Sequence, residues 1–550
     1  MAGTAEIRHL SAAKTWTRLA RSSIIPGAGE TPGAVAVGTA TYAVPSGSLF
    51  VDPANGSDAA AGSQGSPHQT VAHALAAASY GQTIVLRAGT YHEGITVSSS
   101  KSVTIQAYPN EAVWFDGSTQ ITSWTQQGGV WVHSGWTAQF DHSPSYTFGQ
   151  DDGFVNPSYP MAAWPDQVFI DGVSQEQVAA GTTPTSGQFA VDYNAQTITI
   201  GTDPAGHEVR ASDLGQAIVA AGPVQLLGFG VRRYATCIPL IGTIYFGGVS
   251  AGSLVENLVV DNNATEGIGV GVHNVTINHV TATNNGLMGF QGNSCDGLVI
   301  SNSIASNNNR EHFNTQPSSG GMKIARCTGL TIVNCEVSNN TATSGIWTDI
   351  SVTQFAIIGN TVQNNPYYGI EVELSQSGII ANNTVSGSRY GITPYNSGSV
   401  QIYNNHCSGN SVWDIGLSED ARVNSGNVYV SQSLCSWRLD NLTICNNQLD
   451  GGGGFEFYAL DKASNTPASA MHITINGNVF GNNTAVMVGW GGGDNTTVTY
   501  YRTPSALNTA LGVSWSNGLS DGAAPTAVPL PSDVAAAIGV AAGTQHIGTF

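Results

Sequence analysis

From about residue 220 the chain returns again and again to one pattern. A short apolar, β-like run leads into a pair of asparagines or a similar polar pair, and a glycine followed by an apolar residue then opens the next run. The asparagine pairs begin at Asn262, Asn284, Asn307, Asn339 and Asn364. The glycine–apolar pairs are Gly267-Ile268, Gly289-Phe290, Gly321-Met322, Gly345-Ile346, Gly369-Ile370 and Gly391-Ile392, spaced by 22, 32, 24, 24 and 22 residues. A period near 23 with β-branched residues and recurrent asparagine predicts a parallel β-solenoid, because one coil cannot bury its apolar residues alone and must stack on the next. Asparagine suits the turns: it tolerates left-handed backbone, and its amide bonds neighbours above and below. Leucine-rich repeats share the period, but their L-x-x-L-x-L signature is missing. A β-sandwich would not explain so regular a spacing.

The flanks predict the rest of the architecture. Residues 49–118 read as strand, loop, helix and further strands, with "TVAHALAAA" as a helix that covers the open end of the solenoid and shields its edge strands. Residues 119–215 break the period and hold Trp124, Trp131, Trp136, Trp164 and a hairpin region, which predicts a β-rich insertion beside the solenoid. The repeats occupy 216–499. Residues 1–48 read as a separate arm or attachment segment, and 500–550 as a C-terminal tail packed on the coils. The expected fold class is thus all-β, a right-handed parallel β-helix with an N-terminal capping helix and an inserted subdomain.

Composition narrows the function. Only 10% of residues are charged, and 17 basic residues face 36 acidic ones, a net charge of −19. Nucleic-acid binding needs a basic footprint, which is not visible. A neutral or cationic partner fits better, and glycans are usually bound without charge complementarity. The N-terminus lacks the apolar stretch of a secretory signal, and "VAAAIGVAAG" is too short to span a bilayer, so no membrane insertion is expected. None of the seven cysteines forms a C-x-x-C pair, which argues against a zinc site.

Aligning the coils on their glycines gives the candidate chemistry. Side chains alternate faces along a strand, so with the residue after glycine inside, positions two and four point outward. Two after glycine stand Lys323, Trp347, Glu371 and Thr393; four after stand Ala325, Asp349, Glu373 and Tyr395. Adjacent coils lie about 4.8 Å apart, which stacks Asp349 and Glu373 with carboxyl groups roughly 5 Å apart. That is the separation of a retaining glycosidase, with one carboxylate as nucleophile and the other as acid/base. Stacked carboxylates repel, so one holds its proton more tightly. Glu371 is the alternative acid. Lys323, one coil below Asp349, would lower the nucleophile's pKa, and Trp347 and Tyr395 offer flat surfaces for sugar rings. The long spacing inserts "NNNREHFNTQPSSGG" (307–321) before Lys323, so Arg310, Glu311, His312 and Asn314 are candidates to line the same face. The plain alternative is that these acids are solvated residues on an outer strand.

Other motifs carry less. "GIGVGVHN" (267–274) has no following helix and is not a dinucleotide loop, and the N-x-T sequons fall on repeat turns. Cys295 and Cys327 each lie six residues after their glycine, so stacked coils bring them within disulfide range; a bond and an unbonded stack are both open. No cofactor and no metal site is expected. No calcium-loop pattern appears, although Asp and Asn at a glycan site could recruit Ca²⁺ for a structural or catalytic role.

The stretches "VDPANGSDAAAGSQGSP…TIVLRAGTYHE", "MAAWPDQVFIDG", "GGMKIA", "GIWTD" and "IEVE" resemble β-helix glycoside hydrolases of the β-xylosidase type over roughly residues 49–490. The resemblance implies that the Asp of G-x-W-x-D, Asp349, is the nucleophile and that the Glu of the V-E strand one coil later, Glu373, is the acid/base; Glu371 beside it departs from the pattern. The whole chain, with the arm "IIPGAG…VAVGTATYAVPSGS", also resembles minor tail and tail-spike proteins of bacteriophages infecting actinobacteria. That implies a virion protein, otherwise an extracellular one. It would be homotrimeric, would contact other phage tail proteins and would bind or cut a host cell-wall polysaccharide. A non-catalytic receptor-binding tail protein and a polysaccharide lyase using Lys323 or His312 as base are the competing readings.

Overall fold

The structure is a computed structural model that describes residues 30–148, 153–424, 435–463, 466–481, 486–494 and 496–550. Among the described residues, three sheets of thirteen strands each run the length of a solenoid. Each coil contributes one strand to each sheet in turn. In one coil these are Glu266–Val270 in sheet I, Thr276–Asn278 in sheet II and Thr281–Thr283 in sheet III, after which Met288–Asn293 re-enters sheet I. Neighbouring coils pair in parallel, as in Ile268↔Phe290 and Phe290↔Met322. The fold is the parallel β-helix that the period predicts.

The residue after each repeat glycine lies inside. Ile268, Phe290, Met322, Ile346, Ile370 and Ile392 are all buried in one continuous core. The asparagine pairs divide two tasks. The first of each pair (Asn262, Asn284, Asn307, Asn339, Asn364) takes the left-handed backbone of the corner between sheets III and I, with φ of 54–57°. The second forms a buried ladder through Asn263, Asn285, Asn308, Asn340 and Asn365. From Asn285 onward each side-chain oxygen accepts from the backbone and amide N–H of the asparagine one coil earlier, as Asn340 Oδ1 does from Asn308 N and Nδ2, both at 3.0 Å. A second ladder (Asn360, Asn383, Asn405, Asn447, Asn478) turns the corner between sheets II and III. There Gly359 and Gly477 replace asparagine in the left-handed slot, with φ of 63° and 70°.

The N-terminal end of the solenoid is covered as expected. A helix, Val71–Ala77, is capped by the Thr70 side chain accepting from His73 N, and buries Val71, Ala74 and Leu75 against the first coil. The insertion begins with the strand Ser118–Gln120, ends with Val209–Ser212, and has its own core of Val168, Phe189, Ile198, Ile200 and Val209. It leans on the outer face of sheet I through Phe154, Ala162 and Ala163, which meet Leu287, Met288 and Phe313. The C-terminal segment adds Gly518–Leu519 to sheet III and lays the helix Ser532–Ile538 over the outer face of sheet II.

The described part of the N-terminal arm departs from the expectation of a separate segment; residues 1–29 of that expected arm lie outside the described residues. Residues 30–48 run along the II–III corner: Asn334 Nδ2 donates to Glu30 O, Gly33 N to Asn302 O and Tyr42 OH to Glu256 Oε1. The cysteines resolve as an unbonded stack. All seven are free and buried, and Cys327 Sγ donates to Cys295 O at 2.9 Å.

Asn340→Ala strips two buried donors of Asn308 of their acceptor, at about 1–3 kcal/mol each. A loss of roughly 3 kcal/mol is expected in denaturant titration, against a near-neutral exposed control. Glu266 is fully buried, with one oxygen accepting from Tyr146 OH and the other unpartnered, and burial pushes its carboxyl up to about 7. A raised carboxyl contributes stability below its unfolded value near 4.5 that is lost as pH rises through about 7. Glu266→Gln should therefore gain on the wild type by roughly 3 kcal/mol between pH 5 and pH 8, read from denaturation midpoints.

Candidate active site

The site is built on the outward face of sheet I. Its strands Gly320–Ala325, Ile346–Asp349, Tyr368–Glu373 and Tyr390–Tyr395 pair in parallel, which aligns Lys323, Trp347, Glu371 and Thr393 in one column. In the next column Ala325 pairs with Asp349, and Glu373 with Tyr395; the ladder between the two acidic strands ends at Thr348↔Val372, and Asp349 and Glu373 follow it on adjacent coils, close enough to repel. The geometry therefore brings together the two carboxylates singled out by register, with Glu371 beside them.

Each carboxylate has a different environment. Lys323 Nζ lies 3.0 Å from Asp349 Oδ2 and donates to Pro317 O at 2.5 Å, while the Trp347 ring lies 3.4 Å below it. Asp349 Oδ1 accepts from Ile350 N at 2.7 Å. Glu373 Oε2 accepts from Trp347 Nε1 at 3.0 Å, and Arg422 Nη1 lies 2.6 Å from its Oε1. Glu371 Oε2 accepts from Ser344 Oγ at 3.0 Å. Burial, then repulsion from Asp349, raises the Glu373 carboxyl above the ordinary value, with Arg422 and Lys323 pulling against the rise. Burial, then Glu373, pushes Glu371 well up.

The site is also more enclosed than an outer strand suggests. Asp349, Glu371 and Glu373 are only 7%, 2% and 4% exposed. Trp347 is 2% exposed and hydrogen-bonded to Glu373, so the sugar platform expected of it is not available; its ring carries an ammonium instead. Tyr395 is half-buried, with the Arg422 guanidinium 5.3 Å and the Lys462 ammonium 5.0 Å from its ring centre.

The loop 307–321 divides. Its second half reaches the site, since Pro317 O holds Lys323, and Ser318 Oγ meets Tyr146 OH at 3.2 Å. Its first half turns away. Arg310, Glu311 and His312 line a cleft of about 310 Å³ against residues 158–162 and 174–177 of the insertion, and that lining includes none of the three carboxylates. There Arg310 pairs with Glu311 at 2.8 Å and His312 stacks on Tyr159 at 4.2 Å. Asn314 is spent on the insertion's backbone, donating to Gly153 O and Val155 O.

Two features escaped the sequence reading. Arg422 comes from an excursion between the strands Trp413–Glu419 and Leu442–Cys445, anchored where Trp437 Nε1 donates to Ser351 Oγ and Ser436 N to Gln376 Oε1. Its signal was the 42 residues from Asn405 to Asn447, where the previous ladder step takes 22. An aromatic column, Tyr368, Tyr390 and Trp413, stacks beside Glu371 with centres 4.7 and 4.2 Å apart. Its signal was the aromatic residue directly before Gly369 and Gly391. Among the described residues no group of three or more His, Cys, Asp or Glu side chains is placed to hold a metal ion, and no helix is long and apolar enough to cross a membrane.

With this geometry in place, comparison with known proteins agrees on the architecture. The family model described as "Right handed beta helix region" matches residues 242–407 and 351–501. The fold is a right-handed parallel β-helix. A solved structure described as "The complex structure of XylC with xylose" superimposes over 82% of this chain and 86% of that one, with a TM-score of 0.60 and 15% identity, a likeness of fold. The A-module of the mannuronan C-5 epimerase AlgE4 of Azotobacter vinelandii aligns over 74% of this chain and 87% of that one, at 13% identity and a TM-score of 0.40. Uncharacterized protein YwoF of Bacillus subtilis (strain 168) is 42% identical over 73 residues, which are 12% of this chain; the match spans 15% of that protein's length.

Arg422→Gln removes the cation at Glu373 and leaves the burial in place. The protonation midpoint of Glu373 should move up, because the cation that opposes the rise is gone. Infrared titration of ¹³C-glutamate-labelled protein, assigned by subtracting Glu373→Gln, reads the shift; an unchanged midpoint would mean that the ion pair has no hold on the acid.

Proposed function

We propose that this protein is a retaining glycoside hydrolase acting on a cell-surface polysaccharide, with Asp349 as nucleophile and Glu373 as acid/base. The observation that carries the reading is the unequal treatment of two carboxylates on adjacent coils. Asp349 is paired with the Lys323 ammonium at 3.0 Å. Glu373 is buried and raised, as a proton donor requires. Strand spacing near 4.8 Å supports the retaining reading, since it is close to the roughly 5–5.5 Å between the carboxyl groups of retaining enzymes. Asp349 attacks the anomeric carbon while Glu373 gives its proton to the leaving oxygen. Glu373 then takes a proton from the water that breaks the glycosyl ester. Between the two glutamates, Glu373 is the better placed, because its partner Arg422 is partly exposed whereas Glu371 is sealed beneath Ser344.

A second reading, receptor binding without cleavage, draws on the near-complete burial of the three carboxylates. A lyase is less well supported: Lys323 is committed to Asp349, and His312 stacks in the other cleft. The setting we propose, a homotrimeric phage tail protein meeting host cell-wall polysaccharide and other tail proteins, rests on the sequence resemblance.

The test is incubation with purified actinobacterial cell-wall polysaccharides and mass spectrometry of released fragments. The wild type should release them without an unsaturated, UV-absorbing end. Glu373→Gln should be about 10²–10⁴-fold slower, and Asp349→Asn should be inactive. Retained binding with no release from any polysaccharide would select the receptor-binding reading.

A further inference from the structure

The arginine on Glu373 is a difficulty for that mechanism and a clue to its substrate. The guanidinium 2.6 Å from Glu373 favours the ionised carboxylate and so pulls against the rise that burial and Asp349 impose on the acid. Drawing Arg422 off Glu373 removes that opposition and lets the proton be held more tightly. A neutral sugar offers hydroxyls, which compete poorly with a carboxylate for a guanidinium; an anion competes on equal terms.

The surroundings supply a place for that anion. Arg422 and Lys462 both sit over the Tyr395 ring, the residue that follows Glu373 in the column. Arg422 has two carboxylate partners, Glu373 and Asp420. Lys462, just beyond the strand Phe455–Asp461, is exposed, and among the described residues its ammonium has no ion pair and no hydrogen bond. Two cations of a chain that has only 17 thus share one aromatic ring beside the acid. An anionic group there would bridge Lys462 and Arg422 and draw the guanidinium off Glu373.

We propose that the ring of Tyr395, with Lys462 and Arg422 above it, is the subsite for an anionic substituent of the saccharide, a carboxylate or a phosphate, and that filling it frees Glu373 to act as the acid. The proposal rests on the hydrolase reading and names its substrate class. Arg422 is here a positioning residue: it acts through Glu373.

The experiment is titration calorimetry on the full chain, wild type, Lys462→Gln and Arg422→Gln, with pairs of probes that differ only in charge. One arm pairs oligogalacturonate, oligomannuronate and glucuronoxylan fragments with their methyl esters. The other pairs sugar phosphates with the free sugars. Wild type should bind the charged member about tenfold more tightly in at least one pair, the equivalent of one good charge-assisted contact. Lys462→Gln should erase that preference and leave the neutral member's affinity unchanged. The arm that shows the preference identifies the anion. With Arg422→Gln, cleavage of neutral members should rise relative to charged ones, a split that mere misfolding would not produce. Equal affinity for both members of every pair that binds, with cleavage of neutral glycans, would overturn the anion subsite and leave the hydrolase standing. No binding and no cleavage of any probe would overturn both.

Discussion

Vertical repetition at the strand spacing governs this molecule. Once the asparagine ladders fix each coil directly over the last, every side chain has the equivalent residue of the next coil as its neighbour. Inside, that yields a column of isoleucine, phenylalanine and methionine without a gap. Outside, any two ionisable residues at one repeat position are forced into contact with no freedom to step apart. The fold that makes a core cheaply therefore makes charge proximity unavoidable. Asp349 and Glu373 are such a pair, and Lys323, Trp347 and Arg422 are arranged around the resulting repulsion.

This explains how much of the site was legible. The register of Asp349 on Glu373 follows from two Gly-Ile pairs 24 residues apart, because the glycine and the inward isoleucine fix the phase of both strands. The asparagine pairs were legible too, although their division into a left-handed residue and a laddering residue needs the coordinates. What the period could not convey is whatever leaves the period. Arg422 and Lys462 lie in excursions whose length is visible but whose path is not. Arg310, Glu311 and His312 belong to an excursion that was noticed, yet the insertion draws its first half away from the carboxylates and only Pro317 and Ser318 return. Trp347 was placed in the right column with the wrong role, because exposure depends on what lies above a strand as well as on which way it faces.

Whole-chain charge misleads for a related reason. A net −19 argues against an acidic ligand, yet potential in a cleft is set by the groups within a Debye length of about 10 Å. At Tyr395 the Arg422 guanidinium and the Lys462 ammonium stand over the ring, beside the carboxylates of Glu373 and Asp420 with which Arg422 pairs. A sparsely charged protein is in fact well suited to such local contrast, since few competing groups blur it.

The described part of the N-terminal arm and the C-terminal segment share one edge of the prism. The N-terminal arm is hooked to the II–III corner at Asn334 and Asn302, and the C-terminal segment at Asn382, Asn404 and Asn446, where Phe550 N, His546 O and Val528 O are held. These are the outward amides and backbone groups of the left-handed corner residues, spaced one per coil. A load applied between the termini would meet these hooks one at a time, like teeth of a zipper, before it reached the stacked sheets. The two arms are then mechanical fuses: they peel at low force in sequence and spare the coils that hold the carboxylates.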